Sequence, residues 1–248
     1  MSEWELPKDV EHQSIERVGG GSFLWESGVY DATVKMVYLN PNPKTEAVWF
    51  NVILEKNSGD MKELRENFCI KSGKEKGNKT YYVTKEGKKR PLPGYSVAES
   101  LCIGATGTDL DACLKVVENK TVKVWNPDQQ KEVPTERPVV TSLINKPVKL
   151  AVHQVIEDRQ AKDASGKYVP TGESKTVNQC KFFGNMEGKT AEEIKDNKPA
   201  VMFDKWAKKN TGAVIDKSTK GQAGNSAAAI MGSAPADTGS LFQTDPPI

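Results

Sequence analysis

Two neighbouring runs constrain the fold most. VYDATVKMVYL, which follows Gly28, and AVWFNVILE both alternate apolar and polar residues. A period of two is the signature of a strand with one buried face, and a helix of the same composition buries a different set of side chains. In the first run Tyr30, Ala32, Val34, Met36 and Tyr38 point one way and Asp31, Thr33 and Lys35 the other. In the second, Val48, Phe50, Val52 and Leu54 form the inward set, leaving Trp49, Asn51 and Ile53 on the opposite face. The Asn40-Pro-Asn-Pro-Lys44 turn between them makes the pair antiparallel.

Three more strands are expected: MKELRENFCI after the turn at Asn57–Asp60, KPVKLAVHQVIEDRQ, and SKTVNQCKFFG. Val148, Leu150, Val152 and Ile156 mark the inner face of the fourth, with Lys149, His153 and Glu157 outside. Between the third and fourth, residues 95–117 carry helical spacing in two pieces separated by Gly104–Gly107, with Thr108 or Asp109 capping the second. Thr121–Trp125 reads as short and extended, and the proline-bearing residues 126–138 as a surface loop. AKDASGKYVPTGES reads as a long polar hairpin loop. Thr190-Ala-Glu-Glu193 is a capping box, and PAVMFDKWAKKNTG an amphipathic helix with Phe203 and Trp206 docked and Gly212 as its stop. The expected fold class is mainly β: a five-stranded OB-type barrel with a basic hairpin insertion, small helices between strands three and four, a C-terminal helix and a disordered tail. The domain limits are 1–27 for a flexible arm, 28–212 for the barrel with its insertions, and 213–248 for the tail.

Function is most legible in Phe68–Arg90. Between Lys71 and Arg90 lie eight basic residues (Lys71, Lys74, Lys76, Lys79, Lys85, Lys88, Lys89, Arg90) against the two acids Glu75 and Glu86, in a chain whose net charge is only +2. Tyr81 and Tyr82 sit in the middle. Positive charge attracts a phosphate backbone and an aromatic face stacks on an unpaired base. The plain alternative is a solvated lysine-rich loop with its tyrosines packed back on the body. Further candidates are Trp49, Trp125, Lys149, Lys181 and Phe183, and for the aromatic ones core packing is the alternative.

Other chemistries find little support. Asp109 and Asp111 form a DxD that suits a metal, but the same residues cap a helix start. Cys69, Cys102, Cys113 and Cys180 form no CxxC pair and there are only two histidines, so no metal or other cofactor is expected. No nucleotide-binding or hydrolase motif is present, and the expectation is a protein that is not an enzyme. No apolar run reaches the roughly 18 residues of a membrane span, and the polar start is unlike a signal peptide, so a cytoplasmic protein with reduced thiols is expected. At the far end, Leu241 and Phe242 precede Asp245-Pro246-Pro247-Ile248, a tip able to dock an apolar side chain and a carboxylate into a partner's basic pocket, or else an unselected terminus.

The order of these segments, from GVYDATVKMVYL and AVWFNVILE through the basic insertion and helical segment to KPVKLAVHQVIEDR and TVNQCKFFG, resembles the single-stranded DNA-binding proteins of tailed bacteriophages over residues 28–185. The resemblance implies an OB fold, sequence-tolerant coating of single strands in phage replication and recombination, a location in the cytoplasm of the infected host, and a C-terminal tail that contacts replication proteins. The tail here departs from the pattern: it is neither strongly acidic nor ended by Phe. A protein–protein adaptor or inhibitor of a host factor on an OB-like barrel is the alternative function. Whether DNA or RNA is preferred stays open, since stacking alone does not read the 2′-OH.

Overall fold

The alternating runs become the middle of an antiparallel sheet. In a computed structural model, which describes residues 24–58, 63–126, 129–164 and 168–219, β1 (Gly28–Pro41), β2 (Val48–Lys56) and β3 (Glu63–Lys71) form a meander. A separate two-stranded hairpin follows, β4 (Tyr81–Val83) with β5 (Lys89–Pro91). Then come α1 (Pro93–Thr106) and α2 (Leu110–Leu114), capped by the side chain of Asp109, one of the two residues the sequence offers for it. The hairpin β6 (Val117–Asn126) and β7 (Lys131–Val140) leads to the long hairpin β8 (Pro147–Lys162) and β9 (Tyr168–Gly184). The chain ends with α3 (Ala191–Lys195), α4 (Met202–Asn210) and β10 (Val214–Asp216). β8 pairs with the first half of β1, giving the path β9–β8–β1–β2–β3.

The core lies inside this path. Val34, Leu54 and Leu64 share one row across β1, β2 and β3, and Leu39, Phe50 and Phe68 another. Val148, Leu150, Val152 and Phe183 meet them from β8 and β9. The sheet curls until its outer strands approach each other: Phe68 meets Phe183 edge-on, with centroids 6.3 Å apart. Among the described residues no backbone ladder joins β3 to β9. The Glu66 carboxylate bridges the gap instead, accepting from the Cys180 N–H at 2.7 Å.

α1 straps the same seam. A Cβ on Gly94 would stand 2.7 Å from the Cys69 nitrogen of β3, and one on Gly104 the same distance from the Gly184 carbonyl carbon of β9. Only glycine lets both backbones come that close. Gly104 therefore does not break the helix as expected. The helix runs on to Thr106 and stops at Gly107, whose φ is 74°.

Several expectations change. The inward set of β1 holds for Ala32 and Val34, but a bulge at Lys35 reverses the phase, so Val37 is buried in the core while Met36 and Tyr38 turn outward. Residues 126–138 are not simply a loop, since most of them form β7, paired with β6 over its whole length. Pro134 and Pro138 are tolerated because β7 meets β1 only at Val139–Tyr38 on its other edge. The expected polar loop after β8 is mostly ladder, continuing to Lys162–Tyr168. His153 does not lie outside. It is buried under α4, its ring 4.7 Å from that of Trp206. Ile156 is half-buried, and Val155 takes the fully buried place. At the margins, Trp25 is buried, with its backbone N–H and C=O both bonded to the Asn178 amide. β10 adds a parallel strand to β8 within the stretch expected to be tail. The capping box forms as read, and Glu193 also accepts from the N–H groups of Val201 and Met202, which joins the two last helices.

Two outcomes test the seam. Gly104→Ala forces α1 off β9 and should cost about 1–3 kcal/mol, read as a lowered urea midpoint with unchanged slope; an unmoved midpoint removes the close-approach argument. Burial pushes the Glu66 carboxyl up to about 7, helped by Glu157 and opposed by the Cys180 N–H and Lys181. That is above the unfolded value of about 4.3, so its contribution is complete below the unfolded value and fades as pH rises through the folded one. Glu66→Gln should flatten this decline and be the more stable form above about pH 8, by about 1–3 kcal/mol. Parallel stability–pH curves for the two proteins would contradict this.

Candidate nucleic-acid interface

The face of β1–β2–β3 turned away from the core is set by the same alternation. Its rows, read across the three strands, are Met36–Ile53–Arg65, Tyr38–Asn51–Asn67 and Asn40–Trp49–Cys69. Trp49 is half-buried and lies on this outer face, which settles its alternative against the core. The Asn51 amide donates to the Trp49 carbonyl at 3.3 Å, and Arg137 Nε donates to Asn40 Oδ1 at 3.1 Å. The result is a strip of amides with one indole, flanked by the guanidiniums of Arg65 and Arg137.

The basic segment stands at one end of this strip. Its first turn is fastened to the β1–β2 connection: Lys74 N–H donates to the Thr45 carbonyl at 2.8 Å, and Asn78 Nδ2 to Glu46 Oε2 at 2.8 Å. Trp49 is therefore four residues from the anchor point of the lysines. Lys74, Lys76, Lys79, Lys85, Lys88, Lys89 and Arg90 are exposed, and Lys71 is half-buried opposite Val48. Of these eight, only Lys88 is in an ion pair among the described residues, with Glu86 at 3.5 Å. Tyr81 and Tyr82 are both half-buried. Lys89 Nζ lies 5.0 Å and Lys79 Nζ 5.8 Å from the Tyr81 ring centroid, so the hairpin's own cations occupy that ring.

The β6–β7 arm bounds the other end. Val122 and Val139 form a small second core with Tyr38, flanked by Met36, Val124 and Ile144. Farther along the arm, Glu132 pairs with Arg65 of β3. The arm thus runs from β1 to β3 along the Met36–Ile53–Arg65 row. Between it and the lysine hairpin, the rows of Asn51 and Trp49 form the floor of a trough. The arm carries four basic and four acidic residues over 117–140, so the trough has one basic wall and one neutral wall. Trp125, opposite Glu132, is 61% exposed and belongs to no core.

No family model, curated protein or solved structure matches the chain.

Not every expected residue joins this trough. Phe183 is fully buried in the main core and cannot stack on a ligand, because the alternation that exposes one of two adjacent phenylalanines turns Phe182 outward, onto Phe203 and Trp206. Lys149 is half-buried and ion-paired with Asp31. Lys181 is the extra residue of a β9 bulge, where burial and then Lys217 lower its ammonium pKa. Both belong to the β8–β9 side of the molecule. Leu241, Phe242, Asp245, Pro246, Pro247 and Ile248 lie outside the described residues. Asp109 caps α2 by accepting from Ala112 N–H at 2.8 Å, and Asp111 accepts from the Tyr95 hydroxyl at 3.1 Å, so the DxD serves local structure. Among the described residues no cluster of three or more His, Cys, Asp or Glu side chains could hold a metal ion, and no helix is long and apolar enough to cross a membrane. The sequence reading missed Asn40, Asn67, Arg65 and Arg137. Alternation was a usable signal for Asn67, but Arg137 needed the arm.

The two attachments of the arm differ in kind. Val122→Ala removes apolar contact from a dry cluster and should cost about 1–2 kcal/mol, with faster amide exchange along β6 and β7. Glu132→Gln breaks an exposed pair and should change stability by less than about 1 kcal/mol. The reverse ranking would mean that charge, not the small core, holds the arm.

Proposed function

We propose that the protein binds single-stranded DNA without regard to sequence, holding it extended across the β1–β2–β3 trough. The observation that carries this reading is the placement of Trp49 and the amide rows directly beside a lysine hairpin almost free of acidic partners. Phosphates lie against Lys71, Lys74, Lys76, Lys79, Lys85, Lys88, Lys89 and Arg90. Bases stack on Trp49, on Trp125 from the arm, and on Tyr81 or Tyr82 once the hairpin lysines move to phosphates. Asn51, Asn67 and Asn40 offer donors and acceptors to any base edge, which suits sequence tolerance. The strand path β9–β8–β1–β2–β3, with a helix between β3 and β8, supports an OB-type barrel closed by side chains at the β3–β9 seam. On this reading the β4–β5 and β6–β7 hairpins are insertions that wall the usual ligand face. The role is non-enzymatic: coating and protecting single strands in replication or recombination, with the C-terminal tail recruiting partner proteins.

Fluorescence anisotropy with dT, rU and duplex oligonucleotides at several salt concentrations tests the reading. If about five phosphates are neutralised, log affinity for dT falls with log salt with a slope of about −3.5. Trp49→Ala should weaken dT binding by about 1–3 kcal/mol with little change in melting temperature. Salt-insensitive binding, or equal affinity for duplex, would refute the proposal.

A further inference from the structure

The prolines of the β6–β7 arm fix which backbone groups its ladder leaves over. Antiparallel pairs alternate between a hydrogen-bonded and a non-hydrogen-bonded type. A proline has no N–H and cannot complete the first type. Pro138 lies opposite Asn119 and Pro134 opposite Lys123, so both pairs are of the second type. In such a pair the N–H and C=O of each residue point away from the facing strand. Asn119 and Lys123 therefore aim theirs at the outer edge of β6, and alternation adds Val117, Thr121 and Trp125. Among the described residues β6 pairs with β7 alone, and no other backbone group bonds these five. β6 contains no proline, glycine or register shift, so each of the five presents both a donor and an acceptor.

The side chains of the same five residues are exposed, while Val122 and Val124 between them turn to the sheet below. Two of the five are large and apolar and stand near opposite ends of the strand: Val117, 39% exposed, and Trp125, 61% exposed. Arg137 of β7 reaches Asn40, so β7 is the arm strand that borders the trough and β6 the one that faces away from it.

We propose that two copies of the chain dimerise by antiparallel pairing of their β6 edges about a two-fold axis at Thr121. This is the one register that pairs all five outward-pointing residues. It sets Val117 of each copy opposite Trp125 of the other, Asn119 opposite Lys123, and Thr121 opposite itself. Between these, Glu118 falls opposite Val124 and Lys120 opposite Val122, so no like charges meet. Aromatic–β-branched and Thr–Thr neighbours are favourable across strands, and like charges directly opposite are not. Moving the axis to Lys120 would oppose that lysine to itself and Val117 to Lys123. Moving it to Val122 would set Trp125 against Asn119 and leave Val117 with no partner in β6. An indole has two faces, so contact with Val117 of the second copy on one is compatible with a stacked base on the other. The contact is isologous: each copy gives and receives the same edge, so two copies satisfy it. One strand pair buries less than the roughly 1,200 Å² of a stable complex, which makes the dimer dependent on concentration.

The pairing needs no nucleic acid, so sedimentation of the full chain alone tests it. Over a rising concentration series the mean mass should climb from the 27.2 kDa of one chain toward twice that value. Thr121→Pro removes the central outward N–H without touching the β6–β7 ladder, and should hold the protein at one chain. Thr121→Ala keeps that N–H and should still associate. Under mild oxidation Thr121→Cys should cross-link two copies at least about tenfold faster than Lys123→Cys. Residues 121 of the two copies face each other with Cα atoms about 5.5 Å apart, whereas residues 123 stand about 14 Å apart, beyond disulfide reach. A mass that never leaves that of one chain, association of Thr121→Pro equal to that of the wild type, or equal cross-linking at the two positions overturns the proposal. The cross-linking readout stands even if the proline variant does not fold.

Discussion

Between Val34 and Met36 the β1–β2 ladder slips by one residue, and two separate packing surfaces follow from that slip. Before the bulge, Ala32 and Val34 face the main core with Val148 and Leu54. After it, Val37 continues that core while Met36 and Tyr38 turn to the outer face and seat Val122 and Val139. Without the extra residue, a strict alternation would send Met36 and Tyr38 inward and leave the β6–β7 arm without a base. The strand also changes partners on one edge near this point, from β8 over Gly28–Thr33 to β7 at Tyr38. A bulge sharpens local twist, which is how one strand can serve both a curled sheet and a hairpin laid across its back.

The seam is the complementary constraint. A curled sheet that does not join its first and last strands by a ladder must satisfy those edges otherwise. Here Glu66 takes the Cys180 N–H and α1 lies over both strands, with glycines at the two points of closest approach. Ser100 adds a third tie, accepting from Phe183 N–H at 3.3 Å. The helix is thus a fastening as well as a connection, which is why its sequence keeps small residues where an isolated helix would prefer larger ones.

Much of this was legible in the chain. The rows of β2 followed directly from alternation, as did the outward aim of Trp49, and the capping box and the Asp109 cap were readable because each is a local hydrogen bond made within four residues. What failed was non-local. The phase change in β1 depends on a partner strand. β7 was hidden because prolines signal loops unless one edge of the strand is unpaired. His153 was read as outward because nothing in β8 announces that α4 will cover that face. The basic hairpin was visible as charge, but its fastening to the β1–β2 turn, which sets it beside Trp49, joins segments thirty residues apart. Phe183 illustrates the limit of pair reasoning: two adjacent aromatics guarantee one inward ring without saying which.

The prolines of β7 have one more effect. An exposed strand edge is a template on which a second chain can add its own backbone. Pro134 and Pro138 stand four residues apart, hence on the same edge, and each lacks the N–H that an incoming strand would need. The arm can therefore lie across the sheet with an edge uncovered without recruiting a second chain into a runaway sheet. Misassembly is blocked in the backbone itself, which leaves the arm's side chains free of that duty.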